Sequence, residues 1–123
     1  MLIDHDSSAI VAVADLGRAR RFYEQTLGLE PLDATDEVLT FRTGATKLVV
    51  YRSAMAGSNR ANAVVWGVGD DLDAIVAKLE TREVAFEHYA DIGQLDGNVQ
   101  VVDGARLVWL KDPDGNILHL NNF

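Results

Sequence analysis

The chain has 123 residues, with 11 Lys and Arg against 19 Asp and Glu, and a formal charge of −8. That balance argues against nucleic acid and anionic membranes as partners, since both need a basic face; the absence of cysteine excludes disulfides, thiolate metal sites and cysteine nucleophiles. Hydrophobic residues are 48% and charged residues 24%, proportions that suit a folded chain with a real core rather than a disordered one.

The longest apolar run, Ala9 to Ala14, is far too short to span a bilayer. The opening Met-Leu-Ile-Asp-His-Asp lacks the basic-then-apolar layout of a signal peptide. The expectation is a cytoplasmic protein. Ser8 to Ala14 is an apolar segment bounded by polar residues, which predicts a strand buried on both faces. Asp15 then offers an N-cap. Leu16, Ala19, Phe22, Tyr23 and Leu27 recur at helical spacing, with Arg18, Arg21, Glu24 and Gln25 mostly opposite. Gly28 is placed to end this amphipathic helix. A short strand is expected near Leu29 to Asp33, then two more at Glu37 to Arg42 and Thr46 to Arg52 around the turn Thr43-Gly44-Ala45. Met55 to Asn62 is small and polar and reads as a connection.

The pattern then restarts. Ala63 to Val68 predicts a strand, Asp70 and Asp71 offer an N-cap, and Leu72, Ile75, Val76 and Leu79 form a helical stripe. Val84 to Glu87, Ala105 to Leu110 and Asn116 to Leu120 predict strands. Asp112-Pro113-Asp114-Gly115 makes a tight turn between the last two. Tyr89 to Asp103 reads as a loop with one extended piece. Strand, helix, short strand and hairpin thus occur twice at an offset of about 55 residues. Neither half can close a core alone, so the two should pair.

Three stretches carry a family resemblance: VAVADLGRARRFYEQTLGLEP (Val11 to Pro31), WGVGDDLDAIVAKL (Trp66 to Leu79) and WLKDPDGNILHL (Trp109 to Leu120). In this order they resemble the vicinal oxygen chelate superfamily, which includes glyoxalase I, bleomycin resistance proteins and extradiol dioxygenases. The resemblance implies an α+β fold in which two paired βαβββ modules form a U-shaped mixed sheet around a pocket, with the helices outside. It implies a single domain over residues 1–123, with modules of about 1–55 and 60–123, and a homodimer. The unpaired sheet edges and apolar surface also ask for a second copy, with an interface of roughly 1,600 Å² or more.

The family often holds a divalent metal with four side chains, one from the first and one from the last strand of each module. The matching positions here are Ser8, Ala63, a residue near Leu48 or Val50, and His119. One ligand-type residue out of four cannot hold a hard divalent ion, so neither metal nor other cofactor is expected. His5, between Asp4 and Asp6, and His88, after Glu87, read as surface histidines.

Strand alternation supplies the candidate pocket. Ile117, His119 and Asn121 share one face of the last strand, with Leu118 and Leu120 turned to the helices. Ser8 and Ile10 share a face of the first strand, Ala63 and Val65 share one of its counterpart, and Leu48 and Val50 are expected to point the same way. Trp66 falls on the opposite parity and is assigned to the core. Core positions are also expected for Trp109, Tyr51 and Phe41, with the pocket mouth as the alternative. The expected wall is apolar, with His119 as a polar anchor or proton carrier. Gly67-Val68-Gly69 lacks the remaining features of a dinucleotide loop and is rejected. Three functions follow. The first is metal-independent binding of a small molecule, such as an aromatic metabolite or antibiotic. The others are a metal-dependent lyase, isomerase or dioxygenase of the same superfamily, and a cofactor-free enzyme using His119 as base.

Overall fold

The computed structural model describes residues 1–123, and its strands form two mixed sheets. The first contains β1 (Ala9–Val13), β2 (Glu30–Ala34), β3 (Val38–Thr43) and β4 (Thr46–Arg52), in the order β1-β4-β3-β2. The second contains β5 (Asn62–Gly67), β6 (Phe86–Glu87), β7 (Gln94–Asp96), β8 (Val99–Val102), β9 (Ala105–Lys111) and β10 (Ile117–Asn121). Its order is β5-β10-β9-β8-β7, with β6 also pairing with β9. In both sheets the first strand of the half lies parallel to the last, and the remaining pairs are antiparallel. The repeat expected from the sequence is therefore a repeat of strand order.

The second sheet is larger than the four strands expected. The stretch Tyr89 to Asp103 contains a hairpin, β7–β8, where one extended piece was anticipated.

Helix α1 (Leu16–Arg20) begins at Asp15, whose side chain accepts a bond from the Arg18 N–H. That bond holds the exposed Asp15 carboxyl below its usual pKa. The helix widens into a π-type turn over Arg21–Thr26, and Gly28 then takes a left-handed φ of 75°. Helix α2 (Leu72–Thr81) follows a 3₁₀ turn at Gly69–Asp71, and the Asp71 side chain caps nothing. The cap expected there is replaced by that turn.

One cluster of 17 buried residues draws on both halves. Ala19 and Tyr23 enter it from the first helix; Leu72, Val76 and Leu79 enter from the second. Val11, Val13, Leu39, Phe41, Leu48 and Val50 meet them from one sheet and Val108, Leu110, Leu118 and Leu120 from the other. Each fully buried aliphatic side chain contributes about 1.5–3 kcal/mol.

The Asp-Pro-Asp-Gly-Asn turn does more than reverse the chain. The Tyr23 hydroxyl donates to Asp112 Oδ2 at 2.7 Å. The backbone N–H of Ala14 and Arg18 Nη2 both donate to Asp114 Oδ1 at 3.0 Å. Asn116 Nδ2 donates to the Ala12 carbonyl at 2.9 Å. Every polar side chain of the turn thus grips the end of β1 or the first helix, and clamps the second half onto the first.

Candidate functional site

Register decides which residues share the face turned away from the helices. Ile10 is opposite Val49, and Val11 is opposite Val50. Paired residues project to the same side, so Val49 and Tyr51 join Ile10 and Ala12 on the open face. Leu48 and Val50 are on the other side and have no exposed surface. This corrects the expectation that Leu48 and Val50 line the pocket: their parity puts them under the helices. Phe41 is in the core as expected.

In the second sheet His119 pairs with Val65 on one side and Trp109 on the other, and Asn121 pairs with Gly67 and Leu107. Ile10 and Val65 are each 59% exposed, and their strands β1 and β5, from different sheets, are in contact. Ile117 and His119 are half-buried, and Asn121 is buried. Ser8 is exposed just before β1. Ala63 is the extra residue of a bulge opposite Ile117/Leu118 and packs against the core. The Leu118 and Leu120 side chains meet the core, as alternation requires.

His119 is held in one orientation. Its ring stacks on Trp109, with centroids 4.7 Å apart at an interplanar angle of 21°. Its Nδ1 lies 3.1 Å from the Val108 carbonyl. A carbonyl can only accept, so that bond puts a proton on Nδ1, and in the neutral ring Nε2 is then the acceptor. The nearest donor to Nε2 is the Asn121 amide, at a long 3.4 Å. Trp109 is only 6% exposed, and Tyr89 meets it edge to face with centroids 5.1 Å apart. The core position expected for Trp109 is right for burial, but its ring lies on the His119 face. Trp66 is half-buried on the helix side, and its indole N–H donates to Thr43 Oγ1 at 2.8 Å.

Beside Tyr89 and Trp109 is a cleft of about 300 Å³ lined by those two rings with Arg60, Ala61, Asn62, Ile92 and Ile117; His119 stacks on Trp109 and is not itself in the lining. Sequence reasoning missed Tyr89, Ile92 and Arg60, which come from segments without a periodic signal. The segment carrying Tyr89 and Ile92 is pinned by one side chain. Gln100, 1% exposed, accepts from the Tyr89 N–H at 2.8 Å. Its amide donates to the carbonyls of Tyr89 at 2.8 Å and Ile92 at 2.6 Å. Gln100 therefore substitutes for a strand pairing that the loop lacks. Replacing Gln100 with Leu should lower the unfolding free energy by about 2–3 kcal/mol, since three bonds to the half-buried Tyr89 and Ile92 are lost at once. Urea denaturation measures this, and a loss under about 1 kcal/mol would show that the loop holds itself.

The residues that the resemblance puts at the family's metal positions do not fit a metal. Ser8 and Ala63 stand at two of them. Val49, opposite Ile10, occupies on β4 the place that His119, opposite Val65, occupies on β10. His119 alone supplies a ligand-type atom, and one of its nitrogens is engaged with Val108. No three His, Asp or Glu side chains gather as a metal site would require. His88 bonds to Asn98 at 2.9 Å, and His5 is exposed in the first turn of chain. No helix is long and apolar enough to cross a membrane.

Known proteins share this architecture. A virulence protein of Salmonella typhimurium is 23% identical, over all of this chain and 87% of its own length. The crystal structure of lactoylglutathione lyase from Agrobacterium tumefaciens superposes with a TM-score of 0.71 at 20% identity, covering 96% of this chain and 92% of that one. A fosfomycin resistance protein from Mesorhizobium loti superposes with a TM-score of 0.72 at 16% identity, covering 98% and 93%. At such identities the structural likeness concerns the fold. The family model for the glyoxalase/bleomycin resistance protein/dioxygenase superfamily matches residues 3–120. That match spans both halves and the turn that clamps them, and the chain belongs to this superfamily.

Proposed function

We propose that the protein binds a small, flat aromatic molecule on the His119 face of the second sheet, without a metal. The observation that carries this reading is the stack of Tyr89, Trp109 and His119 beside an open cleft. Aromatic walls favour flat ligands, and the cleft is at the small end of the range for ligand sites. Trp109 and Tyr89 would contact the ring, while His119 Nε2 would accept a hydrogen bond from a ligand O–H or N–H. Arg60, at the rim, would favour an anionic substituent. Two of the structural relatives are named for small molecules, lactoylglutathione and fosfomycin, which supports a small-molecule ligand here. The homodimer expected from the sequence belongs to the same proposal, because Ile10 and Val65 leave apolar surface on this face for a second copy to cover. A neutral Nε2 acceptor is also what a general base needs, so conversion of the bound molecule is the second reading.

The test is a screen of aromatic metabolites and antibiotics by thermal shift, followed by elemental analysis of the purified protein. The expected result is a stabilising aromatic ligand and far less than one metal per chain. About one metal per chain would overturn the metal-free reading. For the ligand found, His119→Ala should weaken binding by about 0.5–1.5 kcal/mol, the value of one neutral hydrogen bond. Stability should fall by about 1–2 kcal/mol, because the half-buried ring gives up one bond to a backbone carbonyl and its stack on Trp109. Unchanged affinity with a large stability loss would make the histidine structural.

A further inference from the structure

A second cavity lies on the helix side of the sheets, across β10 from His119. It is half-open, with a space of about 170 Å³ lined by Leu27, Ile75, Leu110 and Leu118 among its apolar residues and by Trp66 and Thr43 as its one polar pair. Nine of its ten lining residues are hydrophobic. Leu27, just after the first helical segment, and Ile75 and Leu79 of α2 line it, and nearby Arg82 Nη1 donates to the Thr26 carbonyl at 2.8 Å.

We propose that this cavity is a second ligand site, for a single-ring aromatic molecule carrying one hydrogen-bond acceptor. Size favours a single ring. Drug-sized ligands need about 300–1,000 Å³, whereas a dry apolar cavity of about 150 Å³ takes up benzene. The lining sets the polarity. An ordered water needs two to four polar partners, and here the only polar pair is already joined, with Trp66 Nε1 donating to Thr43 Oγ1 at 2.8 Å. A water in this space would be poorly held, so an apolar ring displaces little of value. The Thr43 hydroxyl accepts from Trp66, which leaves its own O–H to donate. That proton selects a ring with an acceptor oxygen over a bare hydrocarbon.

The chain has two tryptophans, and they stand in different sites. Trp66 lines this cavity, and Trp109 lines the cleft near His119. Their indole N–H signals in a ¹H–¹⁵N spectrum therefore report the two sites separately. Titration with phenol and with benzene should move the Trp66 signal saturably, with phenol the tighter probe, whether or not the Trp109 signal moves as well. Thr43→Val should cut phenol affinity about three- to tenfold, the worth of one hydrogen bond, and leave benzene affinity within about twofold. Ile75→Phe, which puts a ring of the protein's own into the space, should abolish the Trp66 shift while the spectrum stays dispersed. If that variant does not fold, Val68→Leu is the second filling variant, with the same loss expected. A Trp66 signal unmoved by either probe overturns the proposal, as does movement of Trp109 alone. A shift of Trp66 on raising the protein concentration without any probe would assign this face to a second copy of the chain and equally overturn it. The Trp109 signal reports the His119 face, so binding there is read separately from binding in this cavity.

Discussion

Asp112→Ala should lower the unfolding free energy by about 4 kcal/mol and the thermal midpoint by roughly 15 °C. Asp112 is 4% exposed, and its carboxylate accepts four hydrogen bonds. The Asp114 and Asn116 backbone N–H groups, each at 2.9 Å, reach Oδ1. Tyr23 at 2.7 Å and the Asn116 amide at 2.8 Å reach Oδ2. Removing the carboxylate leaves a buried phenol with no acceptor. Burial, and then the charge of Asp112, push the Tyr23 hydroxyl far above the usual phenol range, so it stays a donor and cannot ionise to escape the loss. Tyr23→Phe should cost less, about 1–2 kcal/mol, because it removes one bond and exposes no orphan on its own side. The double variant should be less destabilised than the sum of the two, since both delete the same bond. Urea denaturation of the four proteins closes the cycle. An Asp112→Ala loss below about 1.5 kcal/mol would mean that Asp114 and Asn116 hold the two halves together without it.

This clamp shows how far the sequence could be read. Asp112-Pro113-Asp114-Gly115 announced a turn through local chemistry, since proline presets φ and Gly115 reaches a φ of 84°. Tyr23 announced itself through helical periodicity. Nothing local says that the two meet, because the bond between them spans 89 residues of chain. Parity was equally informative within a strand and silent between strands. It placed His119 opposite in sense to Leu118 and Leu120, and that holds in the structure. It could not say which face of β4 matches which face of β1, because that depends on pairing register. A shift of one residue moves a whole strand's side chains to the other face, and the wall residues of β4 are accordingly Val49 and Tyr51 rather than Leu48 and Val50. The segment from Tyr89 to Asp103 hid its hairpin for a different reason. β7 is exposed along its length and burial does not alternate along β8, so neither strand carries a period-two pattern, and the backbone ahead of them at Tyr89 and Ile92 is held by the Gln100 side chain.

Trp109→Ala should abolish ligand binding on the His119 face and lower stability by about 3–5 kcal/mol, the usual cost of deleting a buried tryptophan. Both effects come from one ring, which sits between Tyr89 at 5.1 Å and His119 at 4.7 Å. Its loss frees the histidine plane and removes the support beneath the Tyr89 loop. Stability and binding must therefore be separated by less drastic variants. Trp109→Phe keeps an aromatic face and should retain binding weakened about two- to tenfold, whereas Trp109→Leu keeps apolar contact without a π face. Aromatic pairs gain about 0.5–1.5 kcal/mol beyond their buried area, so Leu should bind a further two- to tenfold more weakly than Phe. Titrating the screened ligand by calorimetry, with each variant's folded fraction known from denaturation, gives affinity per folded molecule. Equal affinities for Phe and Leu would show that the ligand is held by apolar contact alone and would remove the stacking part of the proposal. Binding by Trp109→Ala as tight as that of the unaltered protein would place the ligand elsewhere altogether.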